Sequence, residues 1–249
     1  MTARVAVVTG AGSGIGRAIT RRLAADGWFV HAVGREEASL RETAAPCPAG
    51  AVAPLLLDVA DLDAYGAAFA AVPVVHAVVA NAGICRQARL DDAFADQVWR
   101  DTMRVNVDAV WHLFLTLHAR LADGGRGVII SSGLGKLGRP GYHAYAASKH
   151  AVLGLTQCLA KELAAREITV NAICPGWVDT PMARGDLVKN AATNGTTPEA
   201  EYDRACEAIP LRRFVSPDEV AALTAFLLSD GAAAITGEAY NISCGEFFA

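Results

Sequence analysis

Seven short apolar runs punctuate the chain, at residues 4–9, 29–33, 51–57, 74–80, 127–131, 168–174 and 235–243. The first six are strand-length, apolar and rich in Val, Ile, Leu and Ala, with 74–80 reading as a buried strand, and the mixed run 235–243 reads as a last strand. The intervening stretches have helical spacing instead. Ile19, Leu23 and Ala24 follow the first run, and 61–71 reads as a short helix. The stretch 92–121 is long, with Phe94, Val98, Val105, Trp111, Leu115 and Leu117 as apolar marks. A further stripe runs through Ala151, Val152, Leu155, Leu159 and Leu163, and Ser216-Pro217-Asp218-Glu219 opens a last helix to residue 228 with a capping signature. Strand and helix alternate almost throughout. That pattern predicts an α/β protein: a Rossmann-type doubly wound parallel sheet of about seven strands with helices on both faces.

At 249 residues with 53% hydrophobic content, the chain can bury one large core, and no linker or repeat divides it. A single domain spanning 1–249 is expected. Pro46-Cys47-Pro48-Ala49-Gly50 is a connecting loop. Residues 181–210 are polar and glycine-containing, and are expected to be a loop insertion that selects substrate. The formal charge of −4, without a basic block, argues against nucleic acid as a partner. No apolar run is long enough to span a membrane, and Met1-Thr2-Ala3 leads directly into a strand, so no membrane partner and a cytoplasmic location are expected. The six cysteines (47, 85, 158, 174, 206 and 244) show no C-x-x-C and read as reduced packing thiols, with Cys158 and Cys174 in the core. No zinc spacing occurs among the histidines, so no metal is expected.

The candidate chemistry sits at strand ends. After the first run come Gly10, Gly12, Ser13, Gly14, Ile15 and Gly16, then a helix, an arrangement that places a pyrophosphate on helix N-terminal amides. The second run ends at Gly34-Arg35 with no acid to select a ribose hydroxyl, so Arg35 points to a 2′-phosphate and NADP(H), with NAD(H) the alternative. Glu36 and Glu37 beside it oppose that pairing. Tyr145 and Lys149 are four apart on a helical stripe, which projects phenol and ammonium from one face. Bringing a tyrosine from about 10 to neutrality takes about 4 kcal/mol. One ammonium at about 4 Å supplies roughly that at an effective dielectric of 20. Ser132 closes the run Val128-Ile129-Ile130 and precedes the tyrosine by 13 residues. Asn106 stands among apolar neighbours, and is either bonded to backbone or part of the site.

The serine, Tyr-x-x-x-Lys and the run Thr9-Gly-x-x-x-Gly-x-Gly16 together resemble the short-chain dehydrogenase/reductase family, in its single-domain branch, over essentially the whole chain. The resemblance implies catalysis by Asn106, Ser132, Tyr145 and Lys149, with Asn106 holding a relay water and Lys149 also binding the nicotinamide ribose. It implies cofactor contacts from Asp58 and Val59 at the adenine, from Asn81, Ala82 and Gly83, and from Pro175, Gly176, Val178 and Thr180 at the nicotinamide. Otherwise Asp58 would cap the helix that follows it. Tyr142, His143 and Trp177 are expected pocket walls. The sequence departs from the family pattern at Ala80, where an asparagine is usual, and at Cys244, which stands in a glycine pair. Ser13 also occupies a position where many NADP-using relatives carry a basic residue.

Around Lys149, at 171–176 and over 201–220 the chain looks most like polyketide ketoreductases and cyclic-alcohol dehydrogenases. The implied function is an NADPH-dependent ketoreductase or secondary-alcohol dehydrogenase, with a 3-oxoacyl substrate on a carrier protein left open by Arg86 and Arg89. Relatives assemble as a homotetramer or homodimer through the two long helices. From other classes, a catalytically silent nucleotide sensor would be expected to lose a site residue, and a sugar-nucleotide epimerase needs a larger C-terminal substrate domain.

Overall fold

The computed structural model describes residues 4–72 and 74–248, so the expected lead-in at Met1–Ala3 lies outside the described residues. Among the described residues the strands are β1 (Val5–Thr9), β2 (Phe29–Gly34), β3 (Val52–Leu56), β4 (Val75–Ala80), β5 (Leu121–Ile130), β6 (Thr169–Pro175) and β7 (Ala239–Ile242). They form one parallel sheet in the order β3-β2-β1-β4-β5-β6-β7. Alternate residues serve opposite faces. Val7, Val78 and Ile129 pack with Leu113, Phe114, Leu117, Val152 and Leu159 on one side. Val8, Val79, Val128 and Ile130 pack with Ile19, Leu23, Leu40, Val220 and Leu227 on the other. Both faces are therefore dry at the central strands, which is why those sequences read as continuous apolar runs, whereas the edge strands β3 and β7 are only partly buried.

The helices are α1 (Gly14–Ala25), α2 (Glu37–Ala44), α3 (Tyr65–Ala68), α4 (Ala95–Met103), α5 (Ala109–Leu117), α6 (His143–Leu163), α7 (Pro181–Asn194), α8 (Pro198–Ala208) and α9 (Pro217–Leu227). The expected helix at 61–71 shortens to a 3₁₀ turn plus the single turn of α3. The expected long helix at 92–121 is split by a π-helical turn at Arg104–Asp108, and its last residue starts β5. Such turns widen the helix and re-aim side chains. This one turns Asn106 inward, fully buried, while Trp111 and Leu115 of the same stretch stay about half exposed.

The expected loop at 181–210 is instead two helices. Thr180 caps α7 through Ala183 N, Thr197 caps α8 through Ala200 N, and each is followed by proline. Gly195 ends α7 in the left-handed conformation. Ala183, Leu187, Cys206, Ile209 and Phe214 form a small third core under this pair. Cys174 is buried as expected, but Cys158 is exposed: it lies one residue, about 100° of helix, from the core-facing Leu159. No helix among the described residues is long and apolar enough to cross a membrane.

The last helix shows the local electrostatics most simply. Ser216 Oγ accepts from Glu219 N at 3.2 Å, and the Glu219 carboxylate accepts from Ser216 N at 2.8 Å and from both Arg213 terminal nitrogens at 2.8 and 2.7 Å. Pairing with Arg213, then the Ser216 amide, holds Glu219 at about 2 against an ordinary 4.5. A depressed carboxylate stabilises the fold fully above its unfolded value and loses that contribution as pH falls through the folded one. Because the pair is partly exposed, Glu219→Gln is expected to cost about 1 kcal/mol at pH 7, or about 3 °C in Tm for a chain of this size. In calorimetry the gap from wild type should narrow steadily below pH 4.5; a pH-independent gap would contradict the assignment.

Candidate active site

Strand order reverses around β1, whose neighbours are β2 and β4. In parallel α/β sheets the crevice outside the carboxyl ends at such a point is where ligands bind. A cavity of about 510 Å³ runs along that edge here. Its floor begins at the turn between β1 and α1. Gly10 (φ +67°) and Gly14 (φ +49°) take left-handed backbone, and a Cβ on Gly16 would collide with the Gly10 carbonyl. Gly16 therefore does not line the cavity; it lets the turn close behind it. Ser13 is the N-terminal residue of α1 without capping it, so no side chain covers the first-turn amides, while Gly10, Gly12, Ser13, Gly14 and Ile15 face the cavity. Such a cradle fits a pyrophosphate.

Asn81 ties this turn to the end of β4: its Nδ2 donates to Thr9 O at 2.9 Å and its N–H to Thr9 Oγ1 at 3.0 Å. Ala82 and Gly83 continue along the cavity wall. At the far side of β2, Arg35 is exposed and faces Asp58 across 3.9 Å, with Asp58 and Val59 also on the wall. Glu37 is occupied by Arg41, and Glu36 accepts from Ser39 Oγ at 3.1 Å. Asp58 caps no helix; its Oδ1 accepts from Ala60 N at 3.0 Å, a local turn contact. At the other end Pro175, Gly176, Val178 and Thr180 line the cavity, and Thr180 packs against the Gly14 turn.

Between these ends lie the reactive side chains. Ser132, just past β5, accepts from Leu134 N at 3.1 Å through Oγ, which leaves its own proton to face the neighbouring Tyr145 phenol. The Lys149 Nζ donates to Ile130 O at 2.8 Å and stands 5.7 Å from the Tyr145 ring centroid. Ser131 Oγ donates to Lys149 O at 2.9 Å, so the strand end and the first turns of α6 are joined twice. Ser132, Tyr145 and Lys149 all reach the cavity. Asn106 does not: its Oδ1 accepts from Ile84 N at 2.8 Å, and its Nδ2 donates to Ile84 O at 2.9 Å and Ser148 Oγ at 3.0 Å.

The electrostatics differ from the sequence expectation. Burial pushes the Tyr145 phenol above its ordinary value; the neighbouring Ser132 hydroxyl pulls it down, but less strongly. Burial also lowers Lys149 from 10.5 to about 8, since a carbonyl and dipoles replace water around a 5% exposed ammonium. Both shifts favour the neutral form, a phenol that keeps its proton beside an ammonium that holds its own less tightly. The predicted neutral-pH phenolate driven by the lysine alone is not what this geometry produces.

Tyr142 and Trp177 line the cavity, Tyr142 with its hydroxyl accepting from Gln87 Nε2 at 2.6 Å and Trp177 stacked on Phe214 at 5.2 Å. His143 is not a pocket wall. Its neighbour in α6 faces inward, so the imidazole points out and meets Ala88 O at 3.3 Å.

A family model described as enoyl-(acyl carrier protein) reductase matches residues 10–246. The chain is a short-chain dehydrogenase/reductase. This family consists of oxidoreductases working at hydroxyl and carbonyl groups. The chain is 39% identical, over 98% of its length and 97% of the relative's, to a ketoacyl reductase assigned to the monensin polyketide synthase of Streptomyces virginiae. It is 36% identical to the 3-oxoacyl-[acyl-carrier-protein] reductase FabG of Thermotoga maritima, over 97% of both chains. Among solved structures, a point variant of the actinorhodin polyketide ketoreductase with NADPH is 37% identical with a TM-score of 0.90, over 98% of this chain and 97% of that one.

This short-chain dehydrogenase/reductase also places in its cavity residues that the sequence alone does not single out. Cys85, expected to be a packing thiol, lines the wall beside Asp186 of α7. Glu246 and Phe247 return from the C-terminal turn: Glu246 accepts from Trp177 N at 3.2 Å, and Phe247 covers Gly133 so closely that no Cβ would fit there. No local pattern announces these three contacts, because each depends on where a remote turn folds back.

Proposed function

We propose that this enzyme is an NADPH-dependent ketoreductase, a secondary-alcohol dehydrogenase in reverse, acting on a cyclic, polyketide-like or 3-oxoacyl ketone. The observation that carries the reading is the pair of hydroxyls, Ser132 and Tyr145, side by side at the strand edge with Lys149 behind them. Two adjacent O–H donors on one cavity suit a carbonyl oxygen that takes a proton as hydride reaches its carbon. A bound reduced nicotinamide would supply hydride to the carbonyl carbon. Tyr145 donates its proton to the oxygen as charge develops there, and Ser132 holds the same oxygen with the proton that Leu134 N leaves free. Lys149 steadies the phenolate that results. Asn106 keeps one Oδ1 lone pair toward the gap beside Gly83 and Lys149, where the relay water implied by the family would sit.

Arg35 supports NADPH: it is exposed at the ribose end, and its acidic partner there is 3.9 Å away in solvent, a weak competitor for a phosphate. The exposed Trp99, Trp111 and Leu115 on α4 and α5 support assembly of copies through this face; Arg86 and Arg89, paired with Asp101 and Asp91, add no support for an acidic carrier.

Tyr145→Phe is expected to lower kcat for ketone reduction by about 10²–10⁴-fold while NADPH binding, followed by its fluorescence, stays nearly unchanged. Turnover close to wild type would reject the mechanism, and preferential reduction of an enoyl thioester would favour the double-bond reading. For the cofactor, kcat/KM should favour NADPH over NADH by about tenfold or more, since a hydrogen bond to a charged group contributes that much. Arg35→Ala should bring the ratio near one; an NADH preference indifferent to that change would overturn the assignment.

A further inference from the structure

One charged side chain in the pocket has no part in the mechanism above. Asp186 lies in α7 with only 6% of its surface exposed, yet it faces the cavity that holds Tyr145. It is near enough to raise the Tyr145 phenol electrostatically, after the larger effect of burial. Met182 and Asp186, four residues apart, both line the cavity, and Asn190, four further on, accepts from Gln87 Nε2 at 3.3 Å. One stripe of α7 therefore presents a thioether, a carboxylate and an amide to the pocket side.

A buried carboxylate is costly unless paired. Two neighbours are present: Lys189 Nζ at 3.3 Å from Oδ1, and the Cys85 thiol of the loop after β4, close enough to feel its charge. They leave the site unsaturated. A carboxylate offers about four lone-pair directions, and a thiol is a weak donor. Lys189 already balances the charge, so a second cation gains little there. An anionic substituent would meet a carboxylate. A neutral O–H gains most, because it is a stronger donor than the thiol in a water-poor wall.

Resting on the ketoreductase reading, we propose that Asp186 is a specificity-determining residue that accepts a hydrogen bond from a hydroxyl group on the ketone substrate, so that the preferred substrates are hydroxyketones and the products diols. Ser132 and Tyr145 fix the carbonyl oxygen; Asp186, with Cys85 beside it, then reads a second oxygen on the same small molecule.

The test compares kcat/KM for cyclohexanone with that for 2-, 3- and 4-hydroxycyclohexanone, in the wild type, Asp186→Asn and Asp186→Ala. The ratio is taken within each protein, so a general loss of activity cancels. The wild type should favour at least one hydroxylated isomer by about tenfold or more. That preference should shrink stepwise, through Asp186→Asn, to near one in Asp186→Ala. If a variant is inactive, dissociation constants for cyclohexanediols against cyclohexanol, read by tryptophan quenching, should show the same collapse. Reduction without hydroxyl preference, or a preference that survives both substitutions, overturns this inference alone. Failure of the wild type to reduce any ketone with either nicotinamide overturns the ketoreductase reading and this inference together.

Discussion

The site depends on an ammonium taken out of water. Lys149 is fixed by one short bond from Nζ to Ile130 O, and its own carbonyl is held by Ser131 Oγ. These two bonds join the end of β5 to α6, and Ser132 and Tyr145 hang from the joined pieces. Burying a lysine with so few partners is unfavourable, which is why its proton is held less tightly than usual, at about 8. The same dry surroundings work against ionising the phenol.

The sheet converts sequence-distant pieces into one cleft. Thr9 with the glycine turn, Asn81, Ser132 and Pro175 come from four strand ends, and parallel pairing in the order β1-β4-β5-β6 lines them up along a single edge. Pinning is done by side chain to backbone bonds: Asn81 on Thr9, Asn106 on Ile84, Thr180 on Ala183. The α7–α8 pair forms the remaining wall on its own small core, with Glu201 accepting from Thr196 and Asn194 to fix the turn between them. That wall brings Asp186 and Met182 to the cavity.

Much of this is legible in the sequence because it is periodic or local. Strands dry on both faces announce themselves as unbroken apolar runs, and a four-residue spacing on a helix brings Tyr145 and Lys149 to one side whatever surrounds them. What escapes the sequence is anything set by environment. Spacing gives direction but not solvation, so it misses the burial that raises the Tyr145 phenol. A one-residue step separates the inward Tyr142 from the outward His143, and likewise Leu159 from Cys158. The helices at 181–208 do leave a signal, Thr180-Pro181 and Thr197-Pro198, but polar composition masks it. Glu246 and Phe247 leave none, because a turn through Cys244 at φ +53° brings them back from the far end of the chain.

The central claim is that burial keeps the Tyr145 phenol of the free protein a protonated acid, not a phenolate created by the lysine. Ultraviolet difference titration of the ligand-free protein against the Tyr145→Phe variant measures this directly. The account predicts no phenolate absorbance assignable to Tyr145 below about pH 10. A phenolate that grows in near neutrality and disappears with the tyrosine would contradict it.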